Sequence, residues 1–232
     1  MFWQDDDNIQ PQTSADAVLD LSFSIQCRRL PVDHAYALSH ALQQALPWLA
    51  EEPQAAIHLI HVAGSQNGWM RPDHGTGELI HLSHRTKLSL RIPKTRLQDA
   101  LQLSGEVLDI AGNRLQINKA QQKPLSMLGT LFSRHVACDR EQSEELFLQL
   151  VSEELIAMGV RIRKALCGKE IELHTPTGPL FTRSLMLAEL SAEESMRLQH
   201  RGLGSQRLMG CGIFIPHKGI EAVNKSTDDE QK

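Results

Sequence analysis

No apolar run in this 232-residue chain approaches the roughly 20 residues that a membrane-spanning helix requires. The amino terminus, MFWQDDDNIQ, is acidic and lacks the basic and apolar regions of a secretory signal. A cytoplasmic protein with no membrane partner is therefore expected. Cysteine is sparse as well. Cys27, Cys138, Cys167 and Cys211 lie far apart and form no Cys-x-x-Cys pair, so neither a disulfide framework nor a cysteine zinc site is signalled. An excess of basic charge is also missing: the formal charge is −4, which at first argues against a polyanionic partner.

That deficit is concentrated at the ends. Asp5, Asp6, Asp7 and Asp16 precede Val18, and Glu221, Lys225, Asp228, Asp229, Glu230 and Lys232 follow Gly219; without them, positions 18–219 hold 22 basic and 20 acidic residues. Positions 160–219 alone carry nine Lys/Arg against five Asp/Glu. Residues 1–17 and 220–232 thus read as solvated tails around a mildly basic body. The body accommodates two units, over 18–120 and 121–219, since domains commonly run about 100–150 residues.

The hydrophobic pattern gives both units the same element order. Leu19, Leu21, Phe23, Ile25 and Cys27 alternate with Asp20, Ser22, Ser24 and Gln26, as in a half-buried strand. Asp33 is placed to cap a helix with Leu38, Leu42, Ala45 and Leu49 at helical spacing, and Pro47 distorts its last turn. Segments 57–62 and 78–92 read as strands around a polar loop, 64–77. On the second of them, the face opposite Ile80, Leu82, Leu88, Leu90 and Ile92 carries a basic stripe of His81, Arg85, Lys87 and Arg91. A short helix over 94–103, stopped by Gly105, and a hairpin over 107–117 that turns on Ala111-Gly112-Asn113 complete a β-α-β-β-α-β order. The second half repeats it. An extended segment (125–138) leads to a helix (143–158) closed by Gly159, and a strand starts at 160. Strand segments 171–173 and 180–187 flank the turn at 175–178, a Ser191/Glu194 capping box opens another helix, and Ile213-Phe214-Ile215 forms the last strand. The expected fold class is α+β, with two tandem ferredoxin-like domains.

The segment GLGSQRLMGCGIFIPHKG (202–219) places two Gly-x-Gly pairs around Ser-Gln-Arg-Leu-Met. Glycine admits positive φ and close approach of another molecule, and exposed N–H groups beside Arg207 and Lys218 suit phosphate. A dinucleotide-binding Gly-x-Gly-x-x-Gly does not fit, because Arg207 occupies the third glycine position and the loop follows a helix.

Together with LPVDHAYALSHAL, ALPWLAEEP, Gln66-Asn67-Gly68 and GPLFTRSLMLAEL, this loop resembles the CRISPR-associated endoribonucleases of the RAMP superfamily, in the type I variety of the Myxococcus kind, over about positions 18–220. The resemblance implies RRM-like domains and a substrate in CRISPR repeat RNA that folds as a hairpin. It also implies cleavage with no metal or cofactor: the ribose 2′-hydroxyl attacks the adjacent phosphate, leaving a 2′,3′-cyclic phosphate and a free 5′-hydroxyl. RNA contacts are then expected on Gly202, Gly204, Gln206, Arg207, Gly210, Gly212 and Lys218, with Arg183 and Arg201 on the same surface. Other CRISPR effector subunits are further partners that the resemblance allows, and a non-cutting RNA-holding subunit is the rival reading.

Such a transfer needs a proton acceptor, a proton donor and stabilisation of the charged phosphorane, and histidine titrates near the working pH. The chain has 11 histidines. The resemblance places the catalytic one in or just after the first helix, which admits His34, His40, His58 and His61. His58 leads by the family register. His34 follows, with Tyr36 as hydrogen-bond donor, and His40, four residues from Tyr36 on a helix, is third. The His-x-x-His pairs His58/His61 and His81/His84 argue against a metal site, because that spacing on a strand sends the rings to opposite faces.

Overall fold

The computed structural model describes residues 17–61 and 78–217. The whole polar loop at 64–77, including Gln66-Asn67-Gly68, and Lys218 lie outside the described residues.

The first half runs β1 (Val18–Gln26), β2 (Arg29–Pro31), α1 (Ala35–Ala45), β3 (Ala56–His58), β4 (Leu79–His81), β5 (Lys87–Pro93), α2 (Leu97–Leu101), β6 (Val107–Ile110) and β7 (Asn113–Lys123). Its main sheet is antiparallel with strand order β3-β5-β1-β7-β6. The alternation along β1 explains its place at the centre: Leu19, Leu21, Phe23 and Ile25 share one buried cluster with Leu38 and Leu42 of α1 and Ala100 of α2. Asp20, Ser22 and Ser24 therefore point to the opposite face. The β6–β7 turn uses Ala111 and Gly112 at φ 50 and 76, the left-handed pair that matches the twist of a tight hairpin.

The second half runs β8 (Leu131–Ala137), α3 (Glu144–Ala157), β9 (Lys164–Thr175), β10 (Gly178–Ala188), α4 (Ala192–Arg201) and β11 (Ile215–Pro216), with sheet order β11-β8-β10-β9. In each half the first and third strands of the repeated unit, β1 with β5 and β8 with β10, are neighbours at the centre. This is the ferredoxin-like arrangement twice over. Leu131, Leu185 and Leu187 meet Phe147, Val151 and Leu155 of α3 and Leu198 of α4 in the second core. The Ser191/Glu194 capping box is present at the start of α4. Glu194 also accepts from Arg163 at 2.7 Å and from the Arg161 N–H at 3.0 Å, and the Arg163 hydrogen bond is the main cause holding its carboxyl at about 2. Among the described residues no helix is long and apolar enough to cross a membrane.

Several local expectations change. The strand expected over 78–92 is broken by a turn in which the Thr86 N–H donates to the Ser83 carbonyl at 3.0 Å. Its first piece, β4, leaves the main sheet and pairs with β2. Asp33 does not cap α1: its Oδ2 accepts from the His174 N–H and contacts His174 Nδ1, both at 2.7 Å, so it ties the end of β9 to the α1 start. β9 begins at Lys164 rather than 160, because the Val160 N–H is still bound to the Leu155 carbonyl across the Gly159 reversal. The last strand is only Ile215–Pro216, and Ile213 and Phe214 are buried outside it.

Candidate active site

Four of the catalytic candidates, His34, His58, Tyr36 and His40, separate into three environments. His34 is buried at the start of α1. Its Nδ1 lies 2.9 Å from the Pro31 carbonyl and 3.2 Å from the Val32 carbonyl, and its Nε2 accepts from the Ile60 N–H at 3.1 Å. A carbonyl on one nitrogen and an N–H on the other select the neutral Nδ1–H tautomer. The ring therefore pins α1 to the segment after β3.

His58 lies on the polar face of the first sheet. Its Nε2 is 3.1 Å from Asp20 Oδ1. Arg91 closes on the same carboxylate through Nε at 2.8 Å and Nη2 at 3.0 Å, the bidentate geometry that makes such pairs strong. Arg91 is 1% exposed, so the basic stripe expected on this strand loses one member to the interior. Its Nη1 crosses to the second half, donating to the Gln199 carbonyl at 3.1 Å and the Phe214 carbonyl at 2.8 Å. Burial works to raise the Asp20 pKa, but the neighbouring His58 and Arg91 outweigh it and hold the carboxyl well below the usual carboxylate range. His58 thus belongs to the seam between the halves.

Tyr36 and His40 behave differently. One turn apart on α1, they stack with ring centroids 5.8 Å apart and planes 7° apart, and Tyr36 is 39% exposed. Both rings line a cleft of about 690 Å³, which also takes in Gln43 of α1, Glu52 and Ala55 after it, the β9–β10 turn at Thr175 and Thr177, and the glycine-rich loop from Gly204 to Met209. The structure therefore brings Tyr36 and His40 together with the loop, and leaves His34 and His58 outside.

The loop's glycines have mostly internal reasons. Gly202 has φ 71, and a Cβ there would overlap the Arg207 guanidinium and come within 2.8 Å of the Gly212 carbonyl; at Gly212, φ 65, it would overlap the Leu203 carbonyl. Gly210 packs on Leu59, while Gly204 has open space around it. The Gly204 N–H is held by Glu154 Oε1 at 2.8 Å. Gln206 takes a left-handed φ of 64, and its carbonyl accepts from the Met209 and Cys211 N–H groups. The N–H groups of Ser205 and Gln206 donate to no acceptor among the described residues, and both residues line the cleft.

Arg207 turns inward. Its guanidinium donates to the Arg201 carbonyl, and to those of Gln54 at 3.3 Å, Ala55 at 3.4 Å and His200 at 3.5 Å. Burial, with the nearby Arg91 charge, pushes its pKa down to about 10. Arg91 and Arg207 between them satisfy the carbonyls of Gln199, His200 and Arg201, the acceptors that a helix leaves open at its carboxyl end. Arg183 likewise donates to the Gly168 carbonyl at 3.1 Å and the Gln142 carbonyl at 2.6 Å. Arg201 is exposed on the last turn of α4. Among the described residues no three His, Cys, Asp or Glu side chains gather into a metal-holding group.

Sequence reasoning did not find the Asp20–Arg91 pair or the part of Thr175 and Thr177 in the cleft wall. The first joins residues 71 positions apart, and neither Thr175 nor Thr177 stands out from an ordinary hairpin turn.

A family model described as Cas6 Crispr matches residues 19–219. The CRISPR-associated endonuclease Cas6 of Myxococcus xanthus strain DK1622 is 33% identical over 198 residues, covering 85% of this chain and 81% of that protein. The fold is similar to that of a Cas6-related protein from Pyrococcus furiosus, with a TM-score of 0.58 at 13% identity over 85% of this chain and 97% of that one. It is also similar to a RAMP protein described as binding different RNA substrates, with a TM-score of 0.57 at 14% identity over 86% of this chain and 100% of that one. The match along nearly the whole two-unit body, and the identity to the Myxococcus protein over most of both chains, place the chain in the Cas6 family of CRISPR-associated proteins.

Proposed function

We propose that the protein is the endoribonuclease that cuts precursor CRISPR RNA within its repeats, and that it does so without a metal ion in the cleft between α1 and the glycine-rich loop. Membership of the Cas6 family and the likeness to a CRISPR-associated endonuclease support the activity. The observation that carries the site is the meeting of a stacked, solvent-facing Tyr36–His40 pair with the loop's two unbonded N–H groups across one cleft.

In this reading the scissile phosphate lies against Ser205 and Gln206, whose N–H groups stabilise charge as it develops on the phosphorane. The 2′-oxygen forms the new bond to phosphorus and loses its proton, the bond from phosphorus to the 5′-oxygen breaks, and that oxygen gains a proton. His40 serves one of these transfers and solvent the other, and Tyr36 hydrogen-bonds the phosphate. Arg207 acts through the loop, fixing where the two N–H groups stand. The family register favours His58 and the geometry favours His40, since the nitrogen that His58 would use is engaged with Asp20.

The test is a repeat hairpin incubated with the protein in EDTA. Cleavage should persist, end in a 2′,3′-cyclic phosphate, and stop when the ribose at the cut is 2′-deoxy although that RNA still binds. Loss of cleavage in EDTA with recovery on adding a divalent ion overturns the mechanism.

A further inference from the structure

The two-stranded ribbon of β2 and β4 stands apart from the main sheet and, with the turn that follows it, is rich in positive charge, with the exposed Glu78 at its open end, where the Glu78 carbonyl accepts from the Val32 N–H at 2.8 Å. Arg29 and His81 are register partners on it, and the Leu82 N–H donates to the Arg28 carbonyl at 3.0 Å. The turn that follows carries His84 and Arg85, and Lys87 opens β5. All six of these side chains are exposed. Neither 21–31 nor 79–98 contains an aspartate or glutamate.

The charge of this group is unspent, whereas that of several arginines elsewhere is committed. Arg91, Arg96 and Arg163 are ion-paired, and Arg183, Arg197 and Arg207 are committed to backbone carbonyls. The guanidinium groups of Arg28, Arg29 and Arg85 make neither an ion pair nor a hydrogen bond among the described residues, and Lys87 reaches only Gln121 at 3.4 Å. Four positive charges gathered on the ribbon and the turn that follows it repel one another. A chain of phosphates removes that repulsion and releases its own counterions in doing so.

The ribbon leads along the chain into one wall of the cleft. β2 ends at Pro31, and the chain passes directly through His34 into α1 and the Tyr36–His40 pair. His34 holds that passage rigid by bonding Pro31 on one side and Ile60 on the other.

We propose that the β2–β4 ribbon is a second RNA-binding surface, which grips backbone phosphates of the repeat RNA where it leaves the cleft past Tyr36. The proposal rests on the cleft being the place where RNA is cut. The ribbon contributes affinity and direction, and takes no part in the chemistry, because it lies outside the cleft lining. Backbone contacts of this kind carry no sequence information, so they fit any repeat of suitable length.

The test compares wild type with the triple variant Arg28→Ala, Arg29→Ala, Arg85→Ala on two RNAs: one carrying a complete repeat with flanking nucleotides, and a short one trimmed to the nucleotides around the cut. The variant should bind the long RNA roughly ten- to a hundredfold more weakly near physiological salt, with the slope of log affinity against log salt reduced by about two to three. Its affinity for the short RNA and its single-turnover rate at saturating long RNA should equal those of wild type. Unchanged affinity and salt slope on the long RNA overturn the proposal and leave the cleft reading intact. An equal loss on both RNAs also overturns it, since the damage then reaches the cleft. Failure of the wild-type protein to bind or cut either RNA overturns the functional reading itself.

Discussion

His58 and His40 lie on neighbouring elements of the same half, yet the structure treats them in opposite ways. His58 closes a chain of charged hydrogen bonds that runs through Asp20 and Arg91 to carbonyls of the second half. His40 keeps a stacked tyrosine and an open cleft. A proton carrier must be able to exchange its partner for substrate, and a residue at a seam must not. The difference teaches that, among equally placed histidines, the unsatisfied one is the candidate for chemistry.

The sharpest way to break the comparison is to exchange the two losses. His40→Ala should lower single-turnover cleavage by about 10²–10⁴ with hairpin binding retained, the usual worth of an acid–base group. His58→Ala should cut within roughly tenfold of wild type and lose about 1 kcal/mol of stability, as for one hydrogen bond. The reverse pattern in the two rates would move the active site to the seam.

Next in size is Arg91→Met. It leaves the Asp20 carboxylate without its bidentate partner and the Gln199 and Phe214 carbonyls without a donor, so unfolding by denaturant should show a loss of about 3–5 kcal/mol. A loss under 1 kcal/mol would mean that the seam is held by apolar packing alone.

The smallest effect is one of pH. The folded Asp20 pKa lies below its ordinary value of 3.8. The stabilisation is therefore complete above that value and is lost as pH falls through it toward the folded one. Asp20→Asn has no such group. The stability gap between wild type and Asp20→Asn should be widest near neutral pH and narrow below about 3.8. A gap that stays constant into acid would detach Asp20 from the charge network.

The repeated β-α-β-β-α-β order was legible because alternation in β1 and the Ser191/Glu194 box are local signals, each written within a few residues. Arg91 was not. Its position on β5 tells which face it takes, but only the arrival of α4 and Phe214 turns that face into an interior. The inward partners of Arg207 were not legible for a chemical reason: carbonyl oxygens at a helix end and phosphate oxygens ask for the same donor, so a glycine-flanked arginine reads identically in front of either. The cleft was half legible. The Tyr36–His40 spacing announced a shared helix face, while its opposite wall at Thr175 and Thr177 depends on packing of a hairpin more than 130 residues away, fastened through Asp33 and His174 (|i−j| = 141).

The inward turn of Arg207 bears on the thermodynamics of recognition. A glycine-rich loop would ordinarily be a flexible element that loses conformational entropy when it closes on a ligand. Here one guanidinium fastens the loop to the end of α4 and to the Gln54–Ala55 backbone, so the loop is held in place by the chain itself. In the proposed reading of the cleft, preorganisation of this kind spares an ordering cost at the moment of association and leaves the loop's N–H groups placed for phosphate without rearrangement.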